Sequence, residues 1–512
     1  MKMVRSLILG SAATLVAMGG AQAADLPVKA KAVEYVKICS LYGAGFYYIP
    51  GTDTCIKLGG YLRVDLSLNG NDYGPGLSSV LGAQNRLTNY YYSRSRSDFT
   101  IDTRTATEYG VVRTFADMVF TWTTGAYTGS APGAYSDTLA GAVGGSSIGG
   151  ASLGLYHAFI QFAGFTLGRT VSAFDAPWQS YPAGGPDTLP GGSNHVTGVN
   201  QATYTAQFGN GVSGSVSVQD PTLQDTTNIP NLSYLTSATA ASGTLGSNSF
   251  GGTRAPDIIG KIAVDQAWGL AQLAVVAHDN HISYYNTTEP SGHPGDKWGW
   301  AIQGALSIKN IPTGPGDVIN MQAVYTDGAS RYNFNSLMPT SFAMYGGTGL
   351  AGAFQSLGFA AVSDATYFGT SATAPGATGL ETVKTWGFRG GYTHNWNPNW
   401  ASAIYGAYAS LQYGGNAKNI LCAPGTGLLI TSLSLTGACN PDFNMAVIGV
   451  NTVWTPVKNL AFSADVNWTR LDQKFSGTAV IPAVLGVSKP AAVYELKDQN
   501  AVSALLRVQR NW

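Results

Sequence analysis

Six arginines draw attention by type and position. Arg63 lies on one alternating stretch, Arg94, Arg96 and Arg104 on a second, Arg113 on a third, and Arg507 near the carboxy terminus. Successive side chains of a strand point to opposite faces, so Arg94, Arg96 and Arg104 share one face with Asp98, Thr100 and Asp102, opposite Phe99 and Ile101. Asp65 shares the parity of Arg63 in the same way. A separate run, Arg169-Thr170-Val171-Ser172-Ala173-Phe174-Asp175, continues through Ala176-Pro177-Trp178 into a turn-rich stretch that contains Asp187. Guanidinium groups on one side of a narrow aqueous passage and carboxylates on the other set up a transverse field. Such a field orients dipolar solutes and biases ion flow within the screening length. In the competing reading Asp98 and Asp102 pair locally with the arginines beside them, and the sign of any ion selectivity stays open.

Bond-making chemistry finds less support. His278 and His281 flank Asp279 and Asn280, but no Cys or further His nearby completes a metal-ligand set. His157 shares a water-facing parity with Gln161. The run from Gly141 to Gly150 lacks the Lys-Ser/Thr of a phosphate cradle, and no nucleophile elbow appears. No catalytic residue, metal ligand or cofactor is therefore expected.

The elements that would carry these charges are short alternating stretches joined in strict rotation by tight turns and long Gly/Ser/Asn-rich loops. Short connections fall at Glu108 to Gly110, Ala163-Gly164, Asn210-Gly211, Gln266 to Gly269, Lys309 to Asp317, Asn395 to Asn399 and Pro456 to Asn459. Eight long segments separate them, near 70 to 91, 123 to 152, 171 to 198, 220 to 257, 279 to 297, 327 to 383, 414 to 443 and 472 to 500. Seven turns and eight loops join sixteen strands, which predicts an all-β, antiparallel transmembrane barrel with both chain ends on the short-turn side. From Lys57 to Asn69 one parity reads Leu58, Gly60, Leu62, Val64, Leu66, Leu68 and suits lipid; the other reads Lys57, Gly59, Tyr61, Arg63, Asp65, Ser67, Asn69 and suits water. Asn210-Gly211 fits a two-residue hairpin turn, in which both positions need positive φ. The stretches 111 to 122 and 401 to 413 have blurred parity and are assigned by position alone.

Composition agrees. Charged residues make up only 11% of the chain, against 65 Gly and 27 Tyr, and no linker divides it into domains. That pattern fits a wall half solvated by lipid, with aromatics at the interfaces. Lys2 and Arg5, the apolar run Leu7 to Met18, and Ala21-Gln22-Ala23 read as a signal peptide over 1–23, which implies export. Loss of Lys2 and Arg5 with that leader leaves a formal charge of −2, which argues against nucleic-acid binding. Residues 24–56 then form a periplasmic segment and 57–512 the barrel. The final stretch alternates through Val502, Ala504, Leu506 and Val508 and ends on Trp512, which resembles the carboxy-terminal assembly signal of outer-membrane barrels.

Four cysteines in an exported chain favour disulfides. Cys39 and Cys55 precede the first strand on the short-turn side, whereas Cys422 and Cys439 share the seventh long loop, across an apolar band of roughly 25 Å. Of three possible pairings only Cys39 with Cys55 and Cys422 with Cys439 survive. A sixteen-stranded tube also needs something to narrow it. The third long loop is the candidate, because Phe174 and Trp178 suit a loop folded into the lumen against the wall.

Tyr35-Val36-Lys37-Ile38-Cys39, the run from Tyr48-Ile49-Pro50-Gly51 to Gly60-Tyr61-Leu62-Arg63, Gly164-Phe165-Thr166-Leu167-Gly168-Arg169 through Phe174-Asp175, and Leu506-Arg507-Val508-Gln509-Arg510-Asn511 together resemble alphaproteobacterial, rhizobial-type general porins. The resemblance implies a homotrimer of sixteen-stranded barrels in outer-membrane lipid. Each barrel would be a passive, water-filled channel for ions and small hydrophilic solutes, with Arg169 and Asp175 at the narrowing loop. Such porins more often end in Phe than in Trp. A substrate-specific outer-membrane channel is the nearest alternative, and an outer-membrane barrel enzyme a more distant one, since neither a plug domain nor a Ser/His/acid group is visible.

Overall fold

The computed structural model describes residues 37–69, 91–124, 145–146, 149–179, 181–241, 243–483 and 489–512. The expected signal peptide and most of the first two long loops lie outside the described residues. Sixteen long strands are formed among those described: β1 (Cys55–Leu68), β2 (Tyr91–Thr107), β3 (Gly110–Thr123), β4 (Gly149–Phe162), β5 (Phe165–Thr170), β6 (Val199–Gly209), β7 (Val212–Gln219) and β8 (Asp257–Gln266), then β9 (Gly269–Asn280), β10 (Lys297–Lys309), β11 (Val318–Asp327), β12 (Lys384–Asn397), β13 (Trp400–Gln412), β14 (Phe443–Val457), β15 (Leu460–Gln473) and β16 (Gln499–Asn511). Each pairs antiparallel with its neighbours in sequence, and β16 returns to β1 with Tyr61 opposite Asn511 and Leu68 opposite Ala504. The cylinder is closed, so no strand edge in the wall is left to seek a partner in hydrocarbon.

Side-chain alternation gives the wall its two faces. Leu58, Leu62 and Val64 of β1 point out and are exposed, whereas Asp65 and Ser67 point in and are buried. Around the β6–β7 hairpin Tyr204, Phe208, Val216 and Val218 point out, and Gln201, Thr203, Ser215, Ser217 and Gln219 point in. The hairpin turn carries positive φ at Asn210 (51°) and Gly211 (75°), as its two residues predict. The seam between β16 and β1 needs a glycine for a different reason. Gly60 has φ 147°, a Cβ there would strike the Asp98 carbonyl, and the Trp512 ring closes over it. Trp512 also meets Phe99 edge-on at 6.0 Å, and its backbone N–H donates to the Gly60 carbonyl at 3.2 Å.

Both disulfides form in the expected pairing, Cys39 with Cys55 and Cys422 with Cys439. The first ties Cys39, which precedes the short hairpin of Tyr47–Tyr48 on Cys55–Ile56, to the start of β1, which begins at Cys55 rather than at Lys57. The long loops differ most from the sequence reading. Instead of extended Gly/Ser/Asn segments, those following β7, β11, β13 and β15 fold together into a cap with its own apolar core. Leu232, Phe342, Phe359, Leu433, Ile481 and Tyr494 lie at its centre. A four-stranded sheet runs through the cap in the order Ser341–Gly346, Ser356–Ala361, Ala492–Leu496, Thr478–Ile481, and the helices Gly415–Cys422 and Leu428–Leu433 pack beside it. These runs are too short and too interrupted to register as periodic elements against a Gly-rich background.

Candidate functional site

The loop between β5 and β6, residues 171–198 (L3), does not stand in solvent. It runs inside the barrel, held by the lumen faces of the strands it crosses. Phe174 is fully buried against Tyr332, 4.7 Å between ring centres, among inward-facing Ile259, Ala274, Val276 and Val324. Gln272 and Gln303 donate to the Phe174 carbonyl at 3.2 and 2.8 Å. Further along, Ala183 and Leu189 pack on Ala403, Tyr405, Ala407 and Val447. That contact explains the blurred parity of β13: its lumen face is apolar because the loop covers it.

A single guanidinium holds the far limb of L3. Arg389 on β12 is buried and donates to four loop carbonyls: Gln179 (2.6 Å), Leu189 (3.0 Å), Gly192 (3.3 Å) and Ser193 (2.6 Å). Its Nε donates to Gln322 at 3.0 Å. The loop's two ends are latched by charge. The Asp175 carboxylate accepts from Ser193 Oγ (2.6 Å), the His195 amide (2.6 Å) and His195 Nδ1 (2.7 Å), while His195 Nε2 reaches Asp225 at 2.7 Å. Burial alone would favour a neutral ring, but Asp175 and Asp225 outweigh it and hold His195 protonated well above its ordinary range. Burial would likewise push Asp175 up, yet the His195 charge and the hydrogen bonds keep it below the usual carboxylate value.

The loop's tip meets the arginines directly. Asp187 accepts from Arg94 at 2.9 Å and from Arg507 at 2.9 Å, and both arginines also bind Asp65, through their Nε atoms at 2.7 Å each. The Asp187 carboxyl is held far below the usual range: burial opposes its ionisation, but Arg507 and Arg94, with Arg63 and Arg96 behind them, overcome it. Beside this knot lies a cavity of about 330 Å³. Arg63, Arg96, Arg507, Asp98, Asp117 and Asp187 face it, together with Tyr61, Tyr156, Tyr181 and His157. Three cations and three carboxyl groups face one another there, two of the carboxyls, Asp98 and Asp117, lying side by side.

A closed antiparallel cylinder, apolar outside and polar inside, crossed by an internal loop pinned to arginines, has the form of a pore with a constriction. The sequence pattern of the Porin subfamily, Porin_2, matches residues 25–505. The chain belongs to this porin family. Porin Omp2b of Brucella suis biovar 1 is 29% identical over 359 residues, spanning 63% of this chain and 85% of Omp2b. Porin Omp2b of Brucella melitensis biotype 1 is 28% identical over the same span. Among solved structures the outer membrane channel DcaP of Acinetobacter baumannii aligns with a TM-score of 0.54 at 15% identity, covering 91% of this chain and 99% of DcaP. At that identity the likeness concerns the fold alone. The porin is thus a multi-pass outer-membrane barrel and a channel for small solutes.

Within the porin the expected site residues separate into three groups. Arg63, Arg94, Arg96, Asp65, Asp98, Asp187 and Arg507 gather at the level of the L3 tip. Asp102, Arg104 and Arg113 form a second cluster nearer the short turns, with Asp102 receiving Arg104 at 3.0 Å and Arg113 at 2.9 Å; the Arg104 guanidinium lies 4.9 Å from the centre of the Phe46 ring. Local pairing therefore describes Asp102, whereas Asp98 lies within hydrogen-bonding reach of Asp117. Arg169 and Asp175 sit at the root of L3. Arg169 Nε donates to the Leu155 carbonyl at 2.9 Å, and Asp175 turns away from the arginines toward His195. The expectation that Asp175 and Asp187 together face the arginine wall across a gap is corrected on this point. Asp187 touches the arginines, and Asp175 serves the latch. Trp178 is half-buried, less enclosed than Phe174. Sequence reasoning missed Arg389, His195, Asp225, Gln272 and Gln303, whose roles depend on backbone carbonyls and on loops that no spacing announces.

Proposed function

We propose that this porin is a passive, water-filled diffusion channel for ions and small hydrophilic solutes, narrowed where L3 presents Asp187 to Arg94 and Arg507. The carrying observation is that ion-paired knot inside the closed barrel. The mixed-sign lining of the adjoining cavity favours weak ion selectivity, and its small volume, about 330 Å³, favours exclusion of bulky solutes. Residues 1–23 are proposed as the leader, 24–56 as a disulfide-tied periplasmic segment and 57–512 as the barrel, with the capped long-loop rim outside the cell. Outward Leu, Val and Phe side chains support contact with outer-membrane lipid. The resemblance of the amino-terminal, L3 and final-strand runs to alphaproteobacterial general porins supports a homotrimer and a transport rather than an enzymatic role.

Planar-bilayer recording with a salt gradient and a series of neutral sugars tests the reading. Conductance steps proportional to bulk salt, with a size cut-off and no saturation by any sugar, are expected. Saturation by one solute class would favour the substrate-specific channel, to which the tyrosines of the cavity would then belong. A heat-dependent gel shift and cross-linking to a three-subunit band test the barrel and the trimer.

A further inference from the structure

L3 is one side of the constriction cavity, but the cavity has a wall from a second loop. After β11 the chain enters a short turn, Ser330–Tyr332, and continues inside the barrel mouth before rising into the cap. This descending segment, 330–338, is bonded along its length to L3. The amides of Gly191 and Gly192 both donate to the Asn333 carbonyl, at 3.0 and 3.2 Å. Asn335 Nδ2 donates to the Leu189 carbonyl at 2.7 Å, and its Oδ1 accepts from Thr188 at 2.7 Å. Ser336 Oγ donates to the Asn194 carbonyl at 3.3 Å. Two residues beyond Asn335, Leu337 turns into the 330 Å³ cavity among the arginines and aspartates.

The segment is also held from its own side. Arg331 Nη1 donates to the carbonyls of Phe334, Asn335 and Met338 at 3.3, 2.9 and 2.8 Å, which staples the turn. Phe334 is fully buried in the apolar core of the cap, 5.5 Å from Phe443. An aliphatic side chain aimed into a charged aqueous cavity brings no folding advantage by its exposed part. Its placement there makes sense as steric narrowing, because a hydrophobic group in a short constriction excludes water and hydrated ions.

We propose that segment 330–338 is a second constriction element, that Leu337 is a size-determining residue of the channel, and that Asn335 positions it while bracing L3. The inference rests on the lumen being the conduction path. It adds that the cap and the narrowest part of the pore are one mechanical unit, joined through Phe334.

All four cysteines are disulfide-bonded, so an introduced cysteine is the sole free thiol. Leu337→Cys treated with a trimethylammonium-ethyl methanethiosulfonate, which transfers its alkylthio group to the thiolate and releases sulfinate, is expected to lose most of its single-channel current. Leu350→Cys, on the exposed outer part of the same loop, is expected to keep its current after the same treatment. Untreated Leu337→Ala, which needs no reagent, is expected to pass larger sugars and show higher conductance than the parent. A conducting Leu337→Cys channel indifferent to the reagent, together with an unchanged Leu337→Ala size limit, overturns the proposal while leaving the porin reading intact. Equal block at positions 337 and 350 also overturns it, since the label would then act at the mouth. Failure of the parent protein to conduct would instead defeat the channel reading itself.

Discussion

Asp187→Asn is the most informative single change, because it removes one charge from the constriction and keeps the shape of the side chain. The cavity then keeps its three arginines and loses one carboxylate. Two unit charges about 5 Å apart in water interact by about 0.8 kcal/mol, which changes the local concentration of each ion sign about fourfold. Because the effect runs in opposite directions for cations and anions, the anion-to-cation permeability ratio should rise by about an order of magnitude at low salt. At 1 M salt the Debye length shrinks to about 3 Å and most of that shift should vanish. The reversal potential under a fixed salt gradient, measured from 20 mM to 1 M with parent and variant in the same lipid, reads both the direction and the screening. The amide oxygen introduced by the substitution still accepts one hydrogen bond from Arg94 or Arg507, so L3 should keep its course and the sugar cut-off should hold. An unchanged ratio at low salt, or a shift toward cations, would refute the placement of Asp187 at the narrowest part of the path.

Arg389→Met strips the far limb of L3 of its cation and takes the arginine's donors from the Gln179, Gly192 and Ser193 carbonyls, while Leu189 keeps Asn335; each buried carbonyl left without a donor costs about 1–3 kcal/mol before relaxation; open-channel noise and mean conductance should both rise, while the barrel's heat-dependent gel shift stays. His195→Gln leaves Asp175 and Asp225 buried without their cation, a loss of about 3–5 kcal/mol to the seating of the loop, and should also raise conductance. Its pH dependence follows from the two shifts. The raised pKa of His195 means that its contribution is complete below its unfolded value of about 6.5 and fades only as pH climbs through the higher folded value. The lowered pKa of Asp175 means that its contribution is complete above about 3.9 and fades as pH falls through the lower folded value. Parent channels should therefore be quietest between about pH 4 and 6.5 and noisier on deeper acidification, a difference that His195→Gln should largely abolish. Cys422→Ser with Cys439→Ser opens a loop whose closure is worth about 3 kcal/mol; amide exchange in 415–439 should speed up, while the barrel's heat-dependent gel shift stays.

Where the structure departs from the sequence reading, the departures share a cause. Strand count, turns and lumen parity were legible because each depends on close neighbours in sequence, as the Val64/Asp65 and Tyr204/Gln201 faces show. The seating of L3 was not, because Arg389, Gln272 and Gln303 recognise backbone carbonyls about 100 to 210 residues away, and a carbonyl has no sequence. One signal was nonetheless present. The blurred parity of β13 places Ala403, Tyr405 and Ala407 on a face that should be wet in an open tube, and an apolar patch on a water-facing wall requires a cover. L3 also carries stray apolar residues, Ala183 and Leu189 besides Phe174, and these are the groups found on that patch and its neighbour. Lost alternation in one strand, matched with surplus apolar residues in one loop, thus places a loop inside a barrel.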